Sequence, residues 1–551
     1  MSSAFQTISG LLGGLAVFIF GMNMMSECLQ KAAGEKMKSI LGVLTKNPVM
    51  GMLAGALVTA VLQSSSATTV MVIGFVSAGL MSLPQAISVI FGANIGTTMT
   101  AQLMAFKISD YIWMIVFIGF IMFFIGKGEK IKSIGQTIFA FGLLFVGIET
   151  MGSVMKPLAA NPIFTDLIAK VSGIPVLGVL VGMGMTLIVQ SSSATIAVLQ
   201  SFASQAGPDG VSSIVGLTGA IPILLGDNIG TTITALLASI GQSKNAKRTA
   251  VAHSVFNIAG TFVFVWFVPA FAEFVRFISP KGNEVDVISR QIANAHMSFN
   301  IINSLIWLPL LPFMVKIVTT IVRGDDKNED NTSPLYIDNH VLNQPAVALH
   351  LAKQEVKAFF NNVQMLLQDV KECFVKGDTQ LLKKVEENGN WLYRINQKMV
   401  QYLSSLFSGG GLTEEQTAEA AELMFAVNII DKIRDRCMDI KGIAGEKIFE
   451  EYQFSETALQ ELRDCFEHVG NMVEDSRYLI ENRNRSKAEE MLEQKDKLRK
   501  MERKFNKNHI KRMKQNSCKP ELTGAFSGVL QNLDRIGIGC VTIAEEVLEN
   551  E

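Results

Sequence analysis

The segment Gln63-Ser64-Ser65-Ser66-Ala67-Thr68-Thr69 returns as Gln190-Ser191-Ser192-Ser193-Ala194-Thr195-Ile196. Each copy sits inside a long apolar stretch. A hydroxyl-rich, uncharged segment is tolerated at membrane depth only where it is buried in protein or lines a cavity. Two copies in register therefore restrict the chain to a duplicated unit with a polar interior.

The duplication reaches well beyond the heptapeptide. Asn47-Pro48-Val49-Met50-Gly51 aligns with Ile174-Pro175-Val176-Leu177-Gly178, and Gly55, Thr59 and Gln63 align with Gly182, Thr186 and Gln190, all at an offset of 127. Downstream, Gly92-Ala93-Asn94-Ile95-Gly96-Thr97-Thr98 aligns with Gly226-Asp227-Asn228-Ile229-Gly230-Thr231-Thr232 at an offset of 134. The seven extra residues fall in the turn-forming Gly207-Pro208-Asp209-Gly210 stretch. Upstream, Gly21-Met22-Asn23 matches Gly147-Ile148-Glu149.

Charge separates the chain into two parts. The 551 residues carry a net charge of −1, but residues 1–320 hold 17 Lys and Arg against 11 Asp and Glu, a net of +6. The remainder holds 32 against 39, a net of −7. A charge-poor apolar part followed by a densely charged one reads as a membrane domain and a soluble domain. The near-neutral total offers no argument for nucleic-acid binding. Apolar runs of spanning length are expected near 8–25, 111–126, 133–152, 250–272 and 294–318. The first is read as a retained span, because no basic region precedes it. Regions 47–106 and 174–241 are too long for one span and too interrupted for simple helices, so broken or re-entrant helices are expected there. Lys127, Lys130 and Lys132, then Lys244, Lys247 and Arg248, and finally Lys316 and Arg323 mark a cytoplasmic side. The loop 273–290, with three charges of each sign, is expected outside.

The polar elements have a definite chemistry. Three consecutive hydroxyls cannot share one helix face, but they converge where a helix starts or breaks. A helix N-terminus offers free amides and partial positive charge to an oxyanion. The same hydroxyl, carboxamide and carbonyl oxygens suit a hard cation. With no Arg or Lys in either motif window, a bound anion needs helix ends and a co-bound cation to offset its charge. Sodium fits better than a proton, because the site is nearly free of titrating groups. This is the midplane arrangement of cation-coupled secondary transporters built from internal repeats. Asn94, Thr97 and Thr98 with Asn228, Thr231 and Thr232 are expected to add carboxamide and hydroxyl ligands, or else to be a glycine-permitted helix break with a capping Asn. Asp227, opposite Ala93, is a candidate cation ligand or else the cap of a helix facing water, and Glu149, opposite Asn23, is a candidate cation ligand or else lies at the membrane interface. His253-x-x-Phe256-Asn257 and His296-x-x-Phe299-Asn300 are read as interhelical hydrogen-bonding pairs in preference to a proton relay. The nucleotide-binding, nucleophile-elbow and zincin motifs are missing, so an enzyme is not expected.

Residues 341–551 show helical periodicity without spans. Six amphipathic helices are expected, near 341–375, 378–407, 413–444, 455–482, 486–516 and 520–549, enough for two three-helix bundles. Gly409-Gly410-Gly411 and Lys519-Pro520 are breaks. Cys28, Cys373, Cys437, Cys465, Cys518 and Cys540 are scattered, without zinc-site spacing, which suits a reducing compartment for the tail.

On these residues the paired Gln-Ser-Ser-Ser elements, each with Asn-Ile-Gly-Thr-Thr downstream, resemble the bacterial sodium–phosphate cotransporter family related to type II, over about 5–320. The tail resembles PhoU, the helical regulator of phosphate uptake, through Asn428-Ile429-Ile430-Asp431-Lys432-Ile433-Arg434-Asp435. A second copy, Asn532 to Gly539, keeps Asp534 but has Ile538 where the second acid falls. The resemblance implies sodium-coupled phosphate symport by alternating access. It implies phosphate at Ser64, Ser65, Ser66, Ser191, Ser192 and Ser193. Sodium would lie at Gln63, Thr68, Asn94, Thr97, Thr98, Gln190, Thr195, Asn228, Thr231 and Thr232. It also implies a divalent or ferric metal in the tail at Asp431, Asp435 and Asp534.

The expected architecture is all-α and polytopic. It has two repeats, about 8–110 and 133–245, expected to be inverted and to contain re-entrant or broken helices. Two further spans run to about 318, and a 321–340 linker leads to a cytoplasmic PhoU-like bundle at 341–551. The expected setting is the plasma (cell inner) membrane, with phosphate, sodium and the lipid bilayer as partners, a homodimer as a further partner, and no nucleic acid. The competing readings are a membrane phosphate sensor signalling through the tail, and a sodium-coupled transporter of another small anion.

Overall fold

A computed structural model describes residues 3–43, 47–106, 108–159, 170, 173–207, 209–324, 334–342, 344–409, 412–451, 453–515 and 521–549. Of the expected features, Pro208, Gly410, Gly411, Cys518, Lys519, Pro520 and the 325–333 part of the linker lie outside these residues. The chain divides into two compact units, Met1–Lys327 and Asn328–Glu551. Among the described residues the regular structure is helical, with one isolated bridge between Ala206 and Ser213.

The first unit opens with α1 (Ser3–Val43), α2 (Pro48–Leu62), α3 (Ser65–Ser77) and α4 (Leu83–Met104). After α5 (Ile112–Ile125) the pattern restarts with α6 (Glu129–Ala159), α7 (Pro175–Val189), α8 (Ser192–Ala203), α9 (Gly216–Gly230) and α10 (Thr232–Ala238). The starts are local in origin. Asn47 accepts from the Val49 amide at 2.9 Å while Pro48 fills the first turn of α2. Ser82 and Gln85 form a capping box on α4. The two leading helices, α1 and α6, pack on each other, and within each repeat α2 packs on α4 and α7 on α9. The unit closes with α11 (Lys244–Phe264), α12 (Val268–Ile278), α13 (Glu284–Trp307) and α14 (Leu311–Ile321).

Among the described residues four helices are long and apolar enough to cross a membrane, Gln6–Leu29, Ile131–Met155, Gly216–Ala238 and Lys244–Ile278, or five if the bent pair Glu284–Trp307 and Leu311–Ile321 is one span. The expected 294–318 span falls on that pair and is not one straight helix. The chain bends by 87° between Trp307 and Leu311. Pro309 and Pro312 explain it, since each removes a donor and clashes with the preceding turn. The expected 111–126 span is α5, whose 14 residues reach about 21 Å, short of a hydrocarbon core of about 30 Å. Its Trp113, Phe117, Phe124 and Ile125 are exposed, as lipid-facing side chains are. This is an all-α membrane protein with a helical C-terminal part.

The second unit is α15 (Pro345–Lys376), α16 (Thr379–Ser408), α17 (Glu414–Phe449), α18 (Glu456–Asn482), α19 (Arg485–Lys514) and α20 (Leu522–Glu549). The first three pack mutually and so do the last three, with α17 against α20 and α15 against α18 joining the two bundles.

Candidate functional site

Both Gln-Ser-Ser-Ser elements are helix breaks of the same shape. Gln63 ends α2 at φ 55°, ψ 21°, and Gln190 ends α7 at φ 54°, ψ 25°. Each amide closes the preceding helix by donating to a threonine carbonyl, Thr59 or Thr186, at 2.7 Å. The next residue, Ser64 or Ser191, is extended and caps the following helix, its Oγ accepting from the Ala67 or Ala194 amide at 3.2 Å. One left-handed and one extended residue thus turn a helix C-terminus directly into a helix N-terminus. The amides of Ser65 and Ser66, like those of Ser192 and Ser193, precede the first bond of their helices, which Thr68 and Thr195 make to Ser64 and Ser191. Those amides and hydroxyls form a positive, donor-rich start suited to an oxyanion. Ser65, Ser192 and Ser193 are buried, while Ser64, Ser66 and Ser191 are half-buried.

Two threonines brace each break. Thr59 Oγ1 donates to Thr68 Oγ1 at 2.8 Å, and Thr186 Oγ1 lies 3.0 Å from Thr195 Oγ1. Sequence reading aligned Thr59 with Thr186 and gave them no role. Their signal is a hydroxyl kept at the repeat offset inside an apolar run. Thr100 and Thr234, also equivalent at the 134 offset, are a second omission. Thr100 donates to the Gln63 carboxamide oxygen at 2.8 Å, and Gln63 in turn donates to the Ala60 carbonyl. Thr234 reaches across to the other repeat, donating to Ser66 Oγ at 3.1 Å. This bond joins α10, just past the second half's Asn-Ile-Gly-Thr-Thr element, to the first half's serine element. Gln190 is exposed where Gln63 is buried.

The Asn-Ile-Gly-Thr-Thr elements are not capped breaks. Gly96 lies inside unbroken α4, and Gly230 ends α9 one residue before α10. Their glycines have a packing role. A Cβ on either would sit 2.7 Å from the Cβ of Thr59 or Thr186. Asn94 and Asn228 donate to the carbonyls one turn back, Ile90 and Leu224, at 2.8 and 3.2 Å. Thr98 and Thr232 bond the Ile95 and Ile229 carbonyls at 2.7 and 2.8 Å, and Thr231 bonds Asp227 O at 2.9 Å. Thr97 is buried on α4.

The carboxamide oxygens of the two asparagines meet the His-x-x-Phe-Asn helices. His253 Nε2 lies 3.3 Å from Asn94 Oδ1, which also accepts from Asn257 at 3.3 Å. His296 Nε2 lies 3.2 Å from Asn228 Oδ1. One turn later, Thr261 donates to Leu225 O on α9 and Ser304 to Phe91 O on α4, both at 3.2 Å. Helices α11 and α13, their motifs offset by 43 residues, therefore form a matched pair, each touching both repeats. His253 Nδ1, Asn257 Oδ1, His296 Nδ1 and Asn300 Oδ1 are buried without a hydrogen-bond partner.

Of the two candidate acids, Asp227 is fully buried and its Oδ1 accepts from Thr186 Oγ1 at 2.5 Å. Glu149 is exposed on α6.

The tail acids do not form the expected metal centre. Among the described residues no group of three or more His, Cys, Asp or Glu side chains could hold a metal ion. Cations already occupy the place. Buried Arg434 pairs with Asp431 at 2.8 Å and Asp435 at 2.7 Å, and stacks 5.0 Å from the Tyr393 ring centre. Buried Lys495 pairs with Asp534 at 2.5 Å. Burial pushes the Asp431 carboxyl up, against the opposing pull of Arg434. Acids satisfied by internal cations have little need of a metal.

Similarity to known proteins follows the same division. The profile described as Na+/Pi-cotransporter matches residues 17–153 and 154–283, with one Gln-Ser-Ser-Ser element in each stretch. The PhoU domain profile matches residues 462–547. The "Uncharacterized protein YqeW" of Bacillus subtilis is 34% identical over 305 residues, 55% of this chain and 95% of that protein. The "Putative inorganic phosphate export protein YjbB" of Salmonella typhimurium is 23% identical over 552 residues, 98% of both chains. The "Sodium-dependent phosphate transport protein 2A" of Rattus norvegicus is 37% identical over 97 residues, 17% of this chain and 15% of that protein. No solved structure matches the chain.

Proposed function

The chain belongs to the Na+/Pi-cotransporter family, and we propose that it moves inorganic phosphate by sodium-coupled symport with alternating access. Members and relatives of this family are transporters, so no enzymatic step is involved, and phosphate transport is the activity they support. The observation that carries the finer reading is the pair of identical helix starts at Ser64–Ser66 and Ser191–Ser193. Their amides and hydroxyls would hold the phosphate oxygens. Oxygens of Gln63, Thr68, Asn94, Thr97, Thr98, Gln190, Thr195, Asn228, Thr231 and Thr232 would supply sodium ligands. The repeats would lie in opposite orientation in the plasma (inner) membrane, with the PhoU-like tail in the cytoplasm as a regulator.

The test is uptake of labelled phosphate into proteoliposomes. A sodium gradient should drive it, and an equal potassium gradient should not. Uptake indifferent to sodium in a folded preparation would sink the coupling. Competition by sulfate or a dicarboxylate in the same assay decides whether phosphate is the preferred anion.

A second reading concerns direction. A relative that covers 98% of this chain is named "Putative inorganic phosphate export protein YjbB". A gradient-coupled carrier runs either way with its driving forces, so this protein would release phosphate from cells where the outward phosphate gradient dominates. Measuring phosphate loss from loaded cells with and without the protein separates the two directions.

A further inference from the structure

The acidic tail carries one strongly basic helix surface. Residues 321–551 hold 32 Lys and Arg against 39 Asp and Glu, yet residues 497–514, in the second half of α19, hold nine against the single acid Glu502. Eight of the nine are exposed, all but Arg512, which pairs with Glu461 at 2.8 Å. The other ion pairs of α19 use Arg485, Lys487 and Lys495. Among the described residues none of the eight exposed cations takes part in one.

The eight also share a face. At about 100° per residue they fall within an arc of roughly 160° centred near Lys507. The opposite side carries buried Leu498, Phe505 and His509, and His509 stacks on Phe526 of α20 with ring centres 4.6 Å apart. Ile510, 50% exposed, flanks the basic arc between Lys507 and Lys514, its neighbours one turn away on either side.

So many like charges on one rigid face repel one another, and a polyanion relieves the repulsion. The rest of the chain indicates which one. Residues 322–344 join α14 to α15 and can span at most about 80 Å, so the tail is tethered to a membrane unit and meets the bilayer surface at high effective concentration. Anionic headgroups attract each nearby Lys and Arg, and a straight face about 27 Å long presents all eight to a flat surface. An exposed isoleucine among lysines suits the boundary between headgroups and acyl chains, and gives nothing to a small soluble anion.

We propose that the 497–514 face of α19 docks the tail on the anionic lipid headgroups of the bilayer that holds the membrane unit. The docking is independent of the transported ion. Only the choice of leaflet rests on the cytoplasmic placement of the tail proposed above.

The experiment places the full-length protein in nanodiscs of phosphatidylcholine alone, or of phosphatidylcholine and phosphatidylglycerol at two to one. Both leaflets then carry the same lipid, so the result does not depend on the side the tail occupies. Lysines are acylated with an amine-reactive reagent and read by mass spectrometry, with exposed Lys383 on α16, in the other three-helix bundle, as the reference. Labelling of Lys500, Lys504, Lys507 and Lys511 should fall several-fold with phosphatidylglycerol at low salt. It should recover at about 1 M salt, where the Debye length is about 3 Å. A variant with Lys500→Gln, Arg503→Gln, Lys504→Gln and Lys507→Gln alters only exposed side chains, so it should keep the unfolding temperature and lose the protection of Lys511 and Lys514. Equal labelling in the two lipids at low salt would overturn the proposal. So would protection by inorganic polyphosphate or DNA added to phosphatidylcholine nanodiscs with none from phosphatidylglycerol, since the face would then serve a soluble polyanion.

Discussion

Gln63 and Gln190 adopt a backbone conformation that few glutamines adopt. A left-handed residue other than glycine costs about 1–2 kcal/mol, because its Cβ crowds the following carbonyl. The same strain at both repeats means the break is set by its surroundings, the Thr59 and Thr186 carbonyls on one side and the serine cap on the other. Glycine at 63 or 190 should therefore give a more stable protein than alanine at the same position, by about 1 kcal/mol, the reverse of the usual helix order. Thermal unfolding of the four variants in detergent checks this, and an alanine variant at or above its glycine partner would contradict the strain. The serine caps were legible in the sequence, since Ser before an apolar run is a helix start. The left-handed glutamines were not, because nothing in a glutamine's chemistry signals that conformation. At the same scale, Ser65→Ala and Ser192→Ala should each cut phosphate uptake strongly at normal expression. Wild-type rates in both would mean the hydroxyls only satisfy the fold.

At the scale of elements, the duplicated polar motifs were visible but their geometry was partly misleading. Glycine after Asn-Ile suggested a helix break, whereas Gly96 sits within α4 and lets it lie against α2. Propensity argues for a break at glycine, and close packing argues for glycine in a continuous helix. One sequence cannot separate the two, because the deciding atoms, the Thr59 and Thr186 side chains, lie about 40 residues away. The magnitudes make the packing role testable. Alanine would gain up to about 1 kcal/mol in helix propensity. Its Cβ would also strike Thr59 or Thr186 and the carbonyl of Ala56 or Met183, and backbone cannot rotate aside. Overpacking of that kind costs about 1–3 kcal/mol. Gly96→Ala and Gly230→Ala should thus lower the unfolding temperature and weaken uptake by moving the hydroxyl brace. Either variant at wild-type stability would show that the helices have slack. The bend between α13 and α14 was hidden for a simpler reason. A spanning-length apolar run registers by composition, and Pro309 and Pro312 count as two residues within it.

For the whole molecule, the charge asymmetry marked a boundary that geometry can follow. Residues Met1–Lys327 and Asn328–Glu551 each form a compact unit. The Bacillus subtilis relative aligns over 305 residues, 55% of this chain and 95% of its own length, so it has no room for both units. A relative thus exists that is too short to hold both units. The tail has its own means of cohesion: two three-helix bundles, buried cores, and buried Arg434 and Lys495 each neutralised within the unit. A chain ending at Lys327 should therefore insert, fold and keep sodium-driven phosphate uptake within a few-fold of the full-length rate. A regulatory tail predicts that what changes is the response of that rate to phosphate on the tail's side of the membrane. Uptake by the two forms, measured across a range of internal phosphate, decides the matter. Parallel curves would leave the tail without a regulatory role. A folded truncated protein with no uptake would mean that the tail is part of the transport cycle, and would favour the reading in which it works as a sensor.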